Sequence, residues 1–216
     1  DTSATVTVYP GATASITISP STPTDVNADT NSVTIYGTVK DAEGNMAADS
    51  TAVVWSVAVG SGSLSVVNDT TISGFIGTIL TTSHVAGDTY YVKGTSGSIS
   101  GPSGVLTVKA GTNAHIILNP QGAVDIVVNS TAAVVATVED SWGNAEGSGI
   151  GVTFGITGGN GTLSPLVTVT NASGIAQTTY TAPVPADKID TINISGGGIG
   201  AADSALVYKS VAGSAV

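Results

Sequence analysis

The chain has 216 residues, with no cysteine, no arginine, and five lysines against fifteen acids for a net charge of −10. Charged residues are 9 %, far below the roughly 25 % of ordinary soluble domains, and five scattered lysines cannot form the basic face that nucleic acid requires. The lack of cysteine excludes a disulfide-stapled miniprotein, no apolar run reaches the roughly 18 residues of a membrane helix, and 41 % hydrophobic residues with a mean hydropathy of +0.35 exclude disorder.

Taken from the amino terminus, the chain opens at Asp1 without Met or a signal sequence. That is the form of a mature, processed secreted protein, and a start chosen for expression is the plainer alternative. Thr5-Val-Thr-Val-Tyr9 then alternates apolar and polar residues before Pro10-Gly11. Further on, Val33, Ile35 and Val39 lie at even spacings with Thr34, Tyr36 and Thr38 between them. Period two over β-branched residues is the pattern of a half-buried strand. That strand runs into Asp41-Ala-Glu-Gly-Asn45, a turn in which the Asp side chain bonds backbone N–H groups. Val53-Val-Trp-Ser-Val57 is a strand centred on Trp55, and Gly60-Ser-Gly-Ser-Leu-Ser65 and Ser73-Gly74 mark turns. Val105-Leu-Thr-Val-Lys109 closes the unit.

The same order then recurs. Ala132-Ala-Val-Val-Ala-Thr-Val-Glu-Asp-Ser-Trp-Gly-Asn144 repeats the segment from Val33 to Asn45, and Phe154 stands for Trp55. Gly159-Asn-Gly-Thr-Leu-Ser164, Ser173-Gly174 and Ala205-Leu-Val-Tyr-Lys209 follow in register. The join falls near Ala110-Gly111, so the chain divides into residues 1–10, 11–110 and 111–216. About seven short strands in about a hundred residues imply an immunoglobulin-like sandwich. The expected fold is all-β: two tandem immunoglobulin-like β-sandwich domains with an extra N-terminal β-strand. Trp55 and Phe154 are expected to fill the space between the sheets of their units.

A strand ending in Asp-x-x-Gly-Asn, a strand with a central aromatic, Gly-x-Leu-Ser and a Ser-Gly turn together resemble the bacterial immunoglobulin-like group 1 domain, the repeat of invasin- and intimin-type adhesins. Both units match, so the resemblance covers nearly the whole chain. It implies rigid spacers in an extracellular, cell-surface stalk, with binding in a separate terminal module.

The first residues belong to neither unit. Thr5 to Tyr9 align with Val105 to Lys109 at an offset of 100, so Ala4, Thr5, Val6, Thr7, Val8 and Tyr9 have the sequence of a closing strand whose domain is missing. In one reading the chain is a stalk or ligand-binding fragment of an adhesin. In the other it is a complete subunit whose spare strand completes the sandwich of the next copy, because an unpaired strand is a template for association. A head-to-tail contact of this kind builds a filament, a pilus or thread, resembling donor-strand pili in topology. The second unit already owns a closing strand, so the acceptor is another edge or the place that strand would leave.

Five Asn-x-Ser/Thr sequons, at Asn68, Asn129, Asn160, Asn171 and Asn193, are acceptors for N-linked glycans. Asn68, Asn129, Asn160 and Asn171 are expected in or beside turns, and Asn193 on the outer face of a strand. Glycans would supply solubility that so few charges do not. Sequon-directed glycosylation of secreted filaments is common in archaea, which makes the chain similar to an archaeal surface thread. Asp41, Glu43 and Asp140 are weak calcium candidates, with a second oxygen-rich loop at Asp25, Asn27 and Asp29; the ordinary turn is favoured over calcium. His84 and His115 fall in different units, no Ser sits in a nucleophile elbow, and no catalytic role is expected. Carbohydrate or cell-surface ligands would call for exposed aromatics: Trp142, and one of Tyr90 and Tyr91.

Overall fold

Strand follows strand because the apolar positions recur every second residue and Gly, Asn and Asp interrupt them at short intervals. The computed structural model describes residues 4, 6–202 and 205–213. The chain divides into two compact units, Asp1–Lys109 and Ala110–Val216.

In the first unit the strands are β1 (Ser15–Ser19), β2 (Thr24–Asn27), β3 (Ser32–Lys40), β4 (Ala52–Val59), β5 (Ser63–Leu64), β6 (Asn68–Thr70), β7 (Phe75–Thr81), β8 (Thr89–Ser96), β9 (Ile99–Pro102) and β10 (Leu106–Lys109). One sheet has the order β1-β3-β7-β5 and the other β2-β10-β8-β4-β6, with β9 on β8. In the second unit they are β11 (Asn113–Asn119), β12 (Gly122–Val127), β13 (Thr131–Asp140), β14 (Gly151–Gly158), β15 (Thr162–Ser164), β16 (Val167–Val169), β17 (Ile175–Thr181), β18 (Ile189–Gly196) and β19 (Leu206–Val211). Its sheets are β11-β13-β17-β15 and β12-β19-β18-β14-β16. Each unit is a sandwich of two sheets, as expected, but the strands outnumber the expected seven because short pieces such as β5, β6, β15 and β16, two or three residues long, add to them.

The closing strand is internal to its sheet. β10 runs parallel to β2 and antiparallel to β8, and β19 runs parallel to β12 and antiparallel to β18. The chain reaches β2 by leaving the first sheet at Ser19–Pro20 and reaches β12 at Asn119–Pro120. Proline has no N–H to continue the ladder.

Alternation sorts the side chains as the sequence implies. Ile16 and Ile18 of β1, Ile35 and Val39 of β3, and Leu106 and Val108 of β10 are buried. Trp55 and Phe154 are each 1 % exposed within their own clusters, and Trp55 Nε1 donates to Asp69 Oδ2 at 3.2 Å. The two cores differ at one end. Leu80, Tyr90 and Val108 of the first unit correspond to Tyr180, Asp190 and Tyr208 of the second. There the ring of Tyr180 stacks on Tyr208 at 4.3 Å, and its hydroxyl donates to Asp190 Oδ2 at 2.7 Å. Asp190 also accepts from the Gly161 N–H at 3.0 Å. A Cβ at Gly161 would lie 2.5 Å from the Tyr180 ring, so the site holds only glycine without a shift of the stack.

Candidate functional site

The amino-terminal segment is the first candidate. Thr5 lies outside the described residues; Ala4 and residues 6–10 belong to no strand, so the extra N-terminal β-strand is not formed among the described residues. A strand needs a partner to satisfy its N–H and C=O groups, and both closing positions are filled by β10 and β19. Val6 and Val8 are each 85 % exposed and Tyr9 79 %. Their counterparts in register, Leu106 and Val108 or Leu206 and Tyr208, are buried. Among the described residues, Gly11 ties this end of the chain to its sandwich: its N–H donates to Asp41 Oδ2 at 2.9 Å.

That tie shows what the Asp-x-x-Gly-Asn motif does. Asp41 Oδ1 accepts from the Glu43 and Asn45 N–H groups at 3.1 and 2.8 Å, and Oδ2 accepts from Gly11 N–H and from Asn45 Nδ2 at 2.9 Å. Asp140 repeats the pattern with Trp142 N–H, Asn144 N–H, Asn144 Nδ2 and Gly111 N–H, at 2.7 to 2.9 Å. The turn closes because Gly44 and Gly143 take φ of +84° and +80°, a region that glycine enters without steric cost. Each carboxylate is thus a clasp that fixes the turn and the start of its own unit. Each carboxylate accepts four N–H donors, the capacity of its two oxygens. Glu43 is exposed, Asp25 lies 3.7 Å from Lys109 Nζ, and Asn27 Oδ1 accepts the Asp29 N–H at 2.8 Å. Among the described residues no group of three acidic or His side chains converges as a metal site.

The hydrogen bonds set the titration. The Asn45 side chain, then the Gly11 N–H, hold the Asp41 carboxyl below its usual range against the effect of burial. At Asp140 burial is the largest single influence and pushes upward, but the bonds from Asn144, Gly111 and Trp142 together outweigh it and the carboxyl again titrates low. Tyr180 is pushed above the usual tyrosine range by burial, then by its bond to Asp190 and by the Asp190 charge; burial alone raises Tyr208. A lowered carboxyl contributes stability that is complete above its ordinary value of 3.8 and is lost as pH falls below it. A raised tyrosine contributes stability that is complete below its ordinary value of 10.0 and is lost as pH rises above it. Thermal melts across pH should therefore show the second unit losing stability above about pH 10 through Tyr180 and Tyr208, and both units losing it below about pH 4.

The other expected sites are dispersed. All five sequon asparagines are exposed. Asn129 and Asn160 sit in turns at φ of +60° and +81°, and Asn171 holds a turn through its Oδ1, which accepts from the Ser173 and Ile175 N–H groups. Asn68 lies beside a bend as the first residue of β6, where residues 68–70 pair with residues 52–54 of β4. Asn193 lies on the outer face of β18 as expected, and its Nδ2 donates to Thr157 Oγ1 at 3.2 Å. His84 Nδ1 is 2.6 Å from the Ala28 carbonyl oxygen, and His115 lies in β11 of the other unit.

Trp142 is 52 % exposed and Tyr90 is buried, with Tyr91 partly exposed. A further aromatic patch went unexpected. Tyr36 of β3 and Phe75 of β7, 55 % and 58 % exposed, share the outer face of the β1-β3-β7-β5 sheet with Ile79. Tyr36 lies opposite Gly77, and Phe75 opposite Thr38. They line a shallow apolar depression of about 170 Å³ with Thr17 and Ser19. The outward phase of Tyr36 was readable from the alternation of β3, whereas its proximity to Phe75 depends on the β3–β7 register.

No protein-family model matches the sequence, and no curated protein matches it. Solved structures do. The chain is similar to FdeC, an Escherichia coli adhesin, with 20 % identity, a TM-score of 0.51, and coverage of 95 % of this chain and 68 % of that one. The D0-D1 domain of intimin is 20 % identical, with 92 % and 96 % of the two chains covered and a TM-score of 0.37. Domains 4 and 5 of the S-layer protein SbsC are 18 % identical, with 94 % and 100 % covered and a TM-score of 0.39. The match to FdeC, together with the sheet orders above, shows the fold: two tandem immunoglobulin-like β-sandwiches.

Proposed function

We propose that the chain is a non-enzymatic structural subunit of an extracellular filament, in which residues 4–9 of one copy complete a sandwich of the next, head to tail. The observation that supports this reading is the segment itself. Val6 and Val8 repeat the inward positions of β10 and β19 yet stand exposed, outside every strand of their own chain. Strand addition pairs the backbone groups and buries both valines in an acceptor. Because the closing positions are held by β10 and β19, the acceptor is either the place that β19 vacates or a free sheet edge. A contact of this kind that does not close into a ring propagates as a filament.

A second reading, a stalk or ligand-binding segment of a cell-surface adhesin, is favoured by the Tyr36, Phe75 and Ile79 patch, since aromatic clusters serve as binding hot spots for protein or carbohydrate. FdeC, an adhesin, has the same fold. One experiment separates the two. Negative-stain imaging of the natural chain should show filaments with a repeat of one subunit, and the Val6→Asp/Val8→Asp variant should show none. Filaments that persist in the variant rule out the amino-terminal connector, and monodisperse particles from both proteins favour the stalk.

A further inference from the structure

The open edges of the four sheets are guarded in an unusual way. Edge strands expose unpaired N–H and C=O groups, and proteins protect them with charge, lysine above all, with proline, or with bulges. Among the described residues the edges are β1, β5, β2, β6 and the short β9 in the first unit and β11, β15, β12 and β16 in the second. None of the five lysines lies on any of them; their only charges are Asp25 on β2, Asp69 on β6 and Asp125 on β12, with Pro102 on β9 and a register irregularity on β11. The β16 edge is apolar instead: Leu166, Val167 and Val169 are all exposed there, as are Val66 and Val67 beside β6 and Val127 on β12. Asp69 of β6 is committed, since its carboxylate accepts from Trp55 Nε1 and from the Gly77 and Thr70 N–H groups.

The sequons fall on these edges. Asn68 opens β6, Asn129 lies two residues past β12, Asn160 two residues before β15, and Asn171 two residues past β16. All four side chains are exposed. Asn193 is the contrast: it lies in β18, between β14 and β19 in the sheet order, and its amide nitrogen is bonded to Thr157.

We propose that Asn68, Asn129, Asn160 and Asn171 carry N-linked oligosaccharides, and that these sugars close the sheet edges to strand addition. Transfer from a polyprenyl-phosphate-linked oligosaccharide joins the Asn Nδ2 to the anomeric carbon. The anomeric C–O bond to the phosphate breaks, the phosphate keeps the electron pair, and the amide gives up one proton. A neighbouring strand must approach to about 4.8 Å to pair, and a sugar rooted on or beside the edge occupies that space. The sugars take the place of the missing edge lysines and cover the valines at β6, β12 and β16. The proposal shares its extracellular setting with the filament reading, and it leaves as acceptors for that reading the place that β19 vacates and the edges that carry no sequon, β1, β2, β5, β9 and β11.

Glycopeptide mass spectrometry on protein isolated from its producing cells tests the first half. Sugar is expected at the four edge asparagines and not at Asn193. An intact mass equal to the 21.0 kDa polypeptide overturns the proposal, and equal occupancy at Asn193 overturns the link to edges. The second half is read by light scattering in the Val6→Asp/Val8→Asp background, where the amino-terminal connector is disabled. Replacing the four asparagines by Gln should at least double the apparent mass. The set Thr70→Ala, Thr131→Ala, Thr162→Ala and Ser173→Ala removes the same sugars while keeping every Asn, which controls for misfolding of the first variant. Folded protein of unchanged mass in both sets overturns the shielding role.

Discussion

Trp55→Ala is expected to destabilise the first sandwich by about 3–5 kcal/mol, and Phe154→Ala the second by a similar amount. Both side chains are 1 % exposed and lie mid-strand, on β4 and β14, facing the opposite sheet. Removing either loses the transfer free energy of the ring and leaves a cavity that a sandwich of paired strands cannot collapse to fill, because the ladder hydrogen bonds fix the sheets. The Trp55 change also deprives Asp69 of one donor. Differential scanning calorimetry checks this: each substitution should lower the transition of its own unit. A shift under about 1 kcal/mol at either site would mean that the rings do not carry the core.

Asp140→Ala is expected to cost the second unit about 2–4 kcal/mol, because it removes the carboxylate that accepts from three backbone N–H groups and the Asn144 amide at once. Asp140→Asn distinguishes shape from charge. It keeps the volume but offers only one acceptor oxygen for four donors, so it should recover only part of the loss. Chemical denaturation of the three proteins at pH 7 gives the order directly. Full recovery by Asn would show that the carboxylate is not the clasp described here. Asp41→Ala is expected to act in the same direction on the first unit and to free Gly11 as well.

Much of this architecture was legible because it is local and repeated. The alternation of β3 and β13, the aromatic at the centre of β4 and β14 and the glycine turns each place a side chain from its near neighbours alone. What escaped was non-local. The pieces β5, β6, β15 and β16 are two or three residues long, too short to show a period, and they exist because a neighbouring strand offers partners; that Asn68 opens one of them was therefore not legible. The turn role of Asp41 could be read from its motif, but its bond to Gly11 spans thirty positions and has no sequence signature. The same holds for Tyr36 beside Phe75. The stretch from Thr5 to Tyr9 reads as a strand by pattern, yet its described residues 6–9 form none, since pattern encodes which residues suit a ladder and not whether a partner is within reach.

The parallel pairing of the closing strand decides how each unit bears tension. In the first unit, β2 enters near the amino-terminal end and β10 leaves at the carboxy-terminal end, side by side and pointing the same way. Tension on the ends reaches β2 through β1, which pairs with β3; it then drags β2 and β10 past each other along their length, so the pull loads their hydrogen bonds together in shear and does not peel them one at a time. The clamp is four residue pairs long between β2 and β10 and six between β12 and β19. Under the same force the first sandwich, with the shorter clamp, is expected to yield before the second.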